Sequence, residues 1–166
     1  MNFIIRRMKK KDIPQVQHVA KTSWNATYEG IIPEHVQEKF LKSAYNDRNM
    51  KKKLKKNSIF VADVNGTIVG FANYSPVTKK GIMVLEAIYI FPEYQGFGIG
   101  TALLNVALEK IRNVKEVHLN VEKNNHTALR FYQAKGFIEV GAYDDNFGDH
   151  TIHTLEMKRT VSKGKK

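Results

Sequence analysis

Cysteine is absent from this chain of 166 residues, which excludes disulfides and thiol catalysis alike. Long apolar runs are absent too. None approaches the roughly 18 residues that a membrane span requires, and the N-terminus carries no secretory pattern. A cytoplasmic location with no membrane partner is the expectation. Metal-ligand spacing is missing as well. His150 and His153 stand at an odd separation on a predicted strand, which turns their side chains to opposite faces. His18, His35, His118 and His126 show no pattern. No metal site is expected. No repeat, linker or second domain interrupts the chain, so residues 1–160 read as one domain and 161–166 as a basic tail.

What is present in excess is positive charge. The formal net charge is +11, from 27 Lys and Arg against 16 Asp and Glu. With 42% hydrophobic and 26% charged residues the composition is that of a globular protein. Basic residues cluster at Lys9-Lys10-Lys11, at Lys51-Lys52-Lys53 with Lys55-Lys56, and at Lys163-Gly164-Lys165-Lys166. Such runs read first as solvated helix faces and a frayed end. Long-range attraction of a ligand carrying several phosphates is a second reading. A nucleic-acid surface is a third, and nucleic acid is not the expected partner.

Residues 2–6 read as a first strand. Asp12-Ile13-Pro14-Gln15 combines an N-cap, an early proline and Gln at the capping-box position. The helix that follows turns Ile13, Val16, Val19 and Ala20 to one face and reaches Trp24. Residues 25–32 read as a loop. Pro33 opens a second helix with Val36, Phe40 and Leu41 inward, and Asp47 could cap a third to about residue 56. Residues 58–64 and 67–74 form strands joined by Asn65-Gly66, both of which favour positive φ in a two-residue hairpin. Further strands are predicted at 84–90, 116–121, 137–143 and 151–158, the last two around a loop at 144–150. Helices are predicted at 101–111 and 126–135, with Gly136 as a left-handed C-terminal cap.

The stretch 84–111 organises the rest. After its strand comes a turn, Phe91-Pro92-Glu93-Tyr94, then Gln95-Gly96-Phe97-Gly98-Ile99-Gly100, then the helix from Thr101. Three glycines at alternate positions leave room for a ligand to lie against the backbone. Their amides and those opening the helix point one way and carry partial positive charge, which suits phosphate oxygens. The NTPase phosphate loop needs a lysine that this loop lacks. The dinucleotide fingerprint needs its third glycine one residue later and no insertion between strand and loop. Gln95, Gly98 and Gly100 stand instead as Gln-x-x-Gly-x-Gly, which resembles the coenzyme A pyrophosphate loop of the GNAT superfamily of N-acetyltransferases. The preceding Ile88-Tyr89-Ile90-Phe91-Pro92 is similar to that family's fourth strand and its exit.

Downstream, residues 125–137 resemble the family's Asn-x-x-Ala-x-x-Phe-Tyr-x-x-x-Gly-Phe signature at every marked position, as Asn125, Ala128, Phe131, Tyr132, Gly136 and Phe137. The resemblance implies a mixed α/β GNAT fold. Its twisted, mostly antiparallel sheet would have about six to seven strands, flanked by helices and splayed between the fourth and fifth. It implies acetyl-CoA as co-substrate and no metal. Gln95, Gly96, Phe97, Gly98, Ile99, Gly100 and Thr101 would surround the pyrophosphate, with Ile88, Tyr89 and Ile90 along the pantetheine arm and Asn125 and Ala128 beside it. Tyr132 is implied as the general acid for the departing thiolate, across a mismatch of about 2 kcal/mol between a thiol and an ordinary phenol. A main-chain amide near Ile88 is implied as the oxyanion donor.

Glu86, an acid in an otherwise apolar strand run, is the candidate general base, because burial there would raise its pKa. Pairing with one of the many lysines is the alternative. Trp24 and Tyr28 lie in Trp-Asn-Ala-Thr-Tyr-Glu-Gly-Ile-Ile-Pro, similar to a segment bordering the acceptor site in bacterial members. Their rings could hold an alkyl amine or a cation, or pack in the core. Phe131 and Phe137 read as core. The strand Leu-Glu-Ala-Ile-Tyr-Ile also resembles bacterial polyamine (spermidine or spermine) acetyltransferases. The expected activity is therefore acetyl transfer to a primary amine of a small molecule, a polyamine first, by direct attack in a ternary complex. Protein lysines or N-termini are the alternative acceptors. A CoA-binding module without turnover, or a basic nucleic-acid binder, is the alternative of another class. Family members dimerise in several ways, so a homodimer is among the expectations.

Overall fold

The computed structural model describes residues 1–147 and 150–161; the basic run at 163–166 and part of the predicted loop at 144–150 lie outside them. The elements run β1 (Ile4–Arg7), α1 (Ile13–Tyr28), α2 (Glu34–Ala44), α3 (Asp47–Lys56), β2 (Ser58–Val64), β3 (Thr67–Tyr74), β4 (Ile82–Ile90), α4 (Ile99–Lys110), β5 (Glu116–Glu122), α5 (His126–Ala134), β6 (Ile138–Phe147) and β7 (His150–Thr160). All seven strands join one sheet in the order β1-β2-β3-β4-β5-β7-β6. Every neighbouring pair is antiparallel except β4 and β5. No helix among the described residues is long and apolar enough to cross a membrane.

Each face of the sheet carries its own apolar layer. On one, Val16, Trp24, Val36 and Met50 of the first three helices bury against Ile59, Val61 and Phe71. On the other, Leu103 and Ala107 of α4 bury against Phe60, Val69 and Leu85. The basic runs behave as solvated faces at Lys9 to Lys11, Lys51, Lys52, Lys55 and Lys56, all exposed. Lys53 differs. It is half-buried, with its ammonium 4.7 Å above the Tyr45 ring.

Several local expectations are corrected. Asp12 precedes α1 but its side chain caps no α1 amide. Its buried carboxylate instead accepts from Arg6 at 2.8 and 3.1 Å and from the Lys9 N–H at 2.8 Å. Burial alone would raise the Asp12 carboxyl, but the Arg6 and Lys9 hydrogen bonds win and hold it below its ordinary value. Gln15 takes no part in a capping box either, since its Oε1 accepts from Ile68 N–H at 2.9 Å and ties α1 to the β2–β3 hairpin. Asn46, not Asp47, caps α3, accepting from Asn49 N–H at 2.9 Å. The loop read at 25–32 is half helix. Nothing in Asn25–Ala26–Thr27–Tyr28 breaks α1, which runs on until Gly30 supplies the left-handed turn at φ 79°.

The strands β4 and β5 pair only at Ile82 with Glu116, Met83 with Val117 and Val84 with His118. Beyond that, β4 stays on β3 as far as Ile90 opposite Gly70, and β5 stays on β7 as far as Glu122 opposite Thr154. The two strands therefore part into a wedge. The parting begins at a β-bulge: Tyr74 faces Leu85 and Asn73 faces Ala87, so Glu86 is an extra residue without a partner. A bulge bends and over-twists its strand, which carries β4 away from β5.

Candidate active site

The wedge is the mouth of a cleft of about 920 Å3. Main-chain polarity on its β4 wall follows from one hydrogen bond. Phe91 N–H donates to Val69 O of β3 at 2.9 Å, so by strand alternation Tyr89 also turns its backbone to β3. Ile88 and Ile90 then turn theirs into the wedge, and the Ile90 carbonyl is met there by the Gln95 side-chain amide at 3.3 Å. These are unpaired strand groups of the kind an extended ligand can join.

At the far end of the wedge β4 gives way to the glycine loop. Gly96 and Gly98 take φ values of 87° and 84°, a left-handed backbone that side chains resist, and a Cβ at either would meet nothing within 4 Å. Gly98 is the N-cap of α4, which carries no side-chain cap. The amides opening α4 are therefore left for an anion, with the helix dipole in support. Gly100 has another task. It also lines the cleft, but a Cβ there would sit 3.0 Å from the Phe131 ring, so its smallness is required by the packing of α4 against α5.

Opposite the loop, Asn125 caps α5 by accepting from Ala128 N–H at 3.2 Å, and α5 carries Tyr132 into the wedge. The Tyr132 ring is 8% exposed and lies edge-on to Phe131 and Phe137, with centroids at 5.5 and 5.7 Å. Burial, and to a lesser degree Tyr28, pushes its phenol well above the ordinary value. It is held protonated at any neutral pH, as a proton donor must be. The mismatch with a thiol is then larger than the figure for an ordinary phenol.

Of the other residues singled out from the sequence, the structure brings Glu86, Ile88, Tyr89, Ile90, Gln95, Ile99, Thr101, Ala128 and Tyr28 to the same cleft. Two stand apart. Phe97 is 54% exposed at the loop tip. Trp24 is buried, stacked on Phe40 at 4.4 Å, and supports the site from behind, packing on the Tyr28 ring at 4.5 Å and donating its indole N–H to the Tyr89 hydroxyl at 2.7 Å. The burial expected of Glu86 is also not found. The bulge turns its side chain outward, where it is exposed and accepts from the Asn57 amide at 3.0 Å. Asn57 donates in turn to Asn73 at 2.8 Å, so the carboxylate is held by a short polar chain. No group of three or more His, Asp or Glu among the described residues is placed to hold a metal ion.

The structure adds residues that the sequence reading passed over. Glu122, at the end of β5, is 5% exposed and accepts from the Asn124 N–H at 2.8 Å. Burial and then the Glu122 charge push the Tyr28 phenol up to about 12, an effect that a hydrogen bond with Asn125 partly offsets. Ser23, on the buried face of α1, lines the cleft with a hydroxyl that finds no hydrogen-bond partner among the described residues. A lone hydroxyl on an apolar helix face was the one available signal for Ser23. Glu122 gave none, because it falls where strand alternation ends.

Residues 20–137 match the family described as Acetyltransferase (GNAT) family. The chain is 27% identical over 145 residues to the spermidine N(1)-acetyltransferase of Thermoplasma acidophilum, across 82% of this chain and 89% of that protein. It is 34% identical over 107 residues to the N-alpha-acetyltransferase of Sulfurisphaera tokodaii, across 55% and 63% respectively. In three dimensions it is similar to the PaiA N-acetyltransferase of Thermoplasma acidophilum in complex with coenzyme A, with a TM-score of 0.84 over 97% of this chain and 100% of that one, at 24% identity. The family match, the seven-stranded sheet and the parted fourth and fifth strands agree, and the chain belongs to the GNAT family of acetyltransferases.

Proposed function

We propose that this chain moves an acetyl group from acetyl-CoA to a primary amine of a small molecule, a polyamine first, in the cytoplasm. The observation that carries the reading is the wedge itself. It offers unpaired backbone on β4, uncapped amides at the start of α4 and a buried phenol between them. The amides from Gly96 to Thr101 cradle the pyrophosphate. The main chain of Ile88 and Ile90 takes the pantetheine arm as an added strand would be taken.

The amine nitrogen attacks the acetyl carbonyl directly, and an amide near Ile88 stabilises the oxyanion. The C–S bond then breaks. Tyr132 gives its proton to the departing sulfur and regains one from solvent. The proton lost by the amine goes to Glu86, directly or through water, with Asn57 holding the carboxylate. Tyr28, at the end of α1 on the acceptor side, lines the route of the amine.

Polyamines come first because the relative from Thermoplasma acidophilum is named for spermidine. The likeness to an N-alpha-acetyltransferase favours peptide N-termini as the second reading. Thiol release from acetyl-CoA, measured over a panel of monoamines, polyamines and short peptides, tests both. Turnover with spermidine well above that with peptides is expected. No thiol release with any member would leave a CoA-binding module and end the enzymatic reading.

A further inference from the structure

A second cleft, of about 650 Å3, opens where α1 ends and α2 begins, and meets the catalytic wedge along Ala26 and Ile31, which line both. We propose that this cleft seats the distal ammonium of an elongated polycationic acceptor, so that the site selects polyamines over monoamines. The proposal rests on the acetyl-transfer reading above.

Charge is the first argument. Glu29 and Glu34 line the cleft beside His150, and no Lys or Arg among the described residues does, in a chain with 27 of those against 16 acids. Neither carboxylate is engaged in an ion pair or a side-chain hydrogen bond among the described residues. The placement of Glu29 is also unfavourable for the fold. It is the C-terminal cap of α1, where the helix dipole is negative, and no basic residue stands in the last turn to compensate. A cation in the cleft would meet that end of the helix with the favourable sign.

The second argument is independent of charge. Gln37, 3% exposed, lines the same cleft. Its Nε2 donates to Ile32 O at 2.8 Å and to Tyr28 O at 3.3 Å, which fixes the amide. The Oε1 left over is a buried acceptor with no donor among the described residues. Native interiors seldom leave such an atom unmet, and an N–H-bearing cation is the complement of both Gln37 and the two glutamates. The cleft thus offers local attraction for a polycation on a protein whose overall charge repels one.

The test compares the wild type with E29Q/E34Q, using spermidine and n-butylamine as acceptors. Neutralising two solvent-facing charges is expected to raise the KM for spermidine roughly tenfold. The values of kcat, of the acetyl-CoA KM and of the n-butylamine KM should stay unchanged. A spermidine rise below about threefold, or a parallel rise for n-butylamine, overturns the subsite. Calorimetric titration of the CoA-bound protein with spermidine separates this from the reading it rests on. If no amine is acetylated, the catalytic reading falls, while spermidine binding that E29Q/E34Q weakens about tenfold still supports the cleft. Absence of spermidine binding to the wild type overturns it.

Discussion

The two halves of the sheet are built differently from the line between them. From β1 to β4, and from β5 through β7 to β6, neighbouring strands stay paired along nearly their full length. Between the halves only three residue pairs connect. Burial follows the same division, with the largest fully buried side chains, such as Phe60, Phe71, Met83, Leu103 and Met157, held within the halves or under α4. The polar backbone and the phenols meet at the junction. Stability and chemistry are therefore carried by different residues, and substitutions should separate them.

The largest effect is expected at the junction. Tyr132→Phe removes one hydroxyl and keeps the ring against Phe131 and Phe137, so folding should be retained. Loss of a general acid lowers kcat by about 10²–10⁴, with the acetyl-CoA affinity unchanged, as steady-state kinetics beside calorimetric titration would show. Equal turnover would remove Tyr132 from its role.

Asp12→Ala acts wholly within the first half. It removes the closer of two carboxylates from the part-exposed Arg6 guanidinium, which keeps Asp63 at 3.2 Å, so the cost is that of lost charged hydrogen bonds, about 1.5–3 kcal/mol. Urea denaturation should show this, while the folded fraction retains normal kcat. Because the Asp12 carboxyl is held below its ordinary value, its contribution is present above the unfolded value near 4. It is lost as pH falls through the lower folded value. Acid unfolding of the wild type should therefore be steeper than that of Asp12→Asn.

Gly98→Val tests the cradle. A β-branched residue at φ 84° is strained by about 1–3 kcal/mol, and relaxing that strain moves the amides. The acetyl-CoA KM should rise roughly tenfold with a smaller change in kcat. An unchanged KM would place the pyrophosphate elsewhere. Trp24→Phe is the mildest change. It removes the bond to the Tyr89 hydroxyl at a cost of about 1–2 kcal/mol, and should shift the melting temperature more than it shifts any acceptor KM.

Much of this arrangement was legible in the residues. The Asn65-Gly66 hairpin, with φ of 51° and 92°, and Gly136 at 91° follow from local backbone preference. The two motifs around Gly98 and Tyr132 lie side by side in the cleft, as their resemblance to the family implied. The failures lie in side-chain partners. Gln15 and Glu86 find their partners across space, in Ile68 and Asn57, and Asp12 turns back along the chain to Arg6 and Lys9 instead of forward onto α1. Glu86 failed for a further reason. Strict alternation along the strand cannot foresee a bulge, which depends on the pairing with β3. Trp24 was legible only as an aromatic ring, since its Tyr89 partner lies 65 residues away.

That unpaired position has a consequence beyond its carboxylate. Leu85 faces the α4 layer, Ala87 and Tyr89 face the α1 layer, and Ile88 and Ile90 face the α4 layer again. Excising residue 86 altogether would leave a strand of unbroken phase, with every one of those side chains still on its present side. The interior would survive while the local bend disappeared, and the ladder from Val84 could continue along β5. A protein shortened by that one residue should fold yet have its entrance stitched shut, whereas exchanging the side chain at the same position would leave the entrance open.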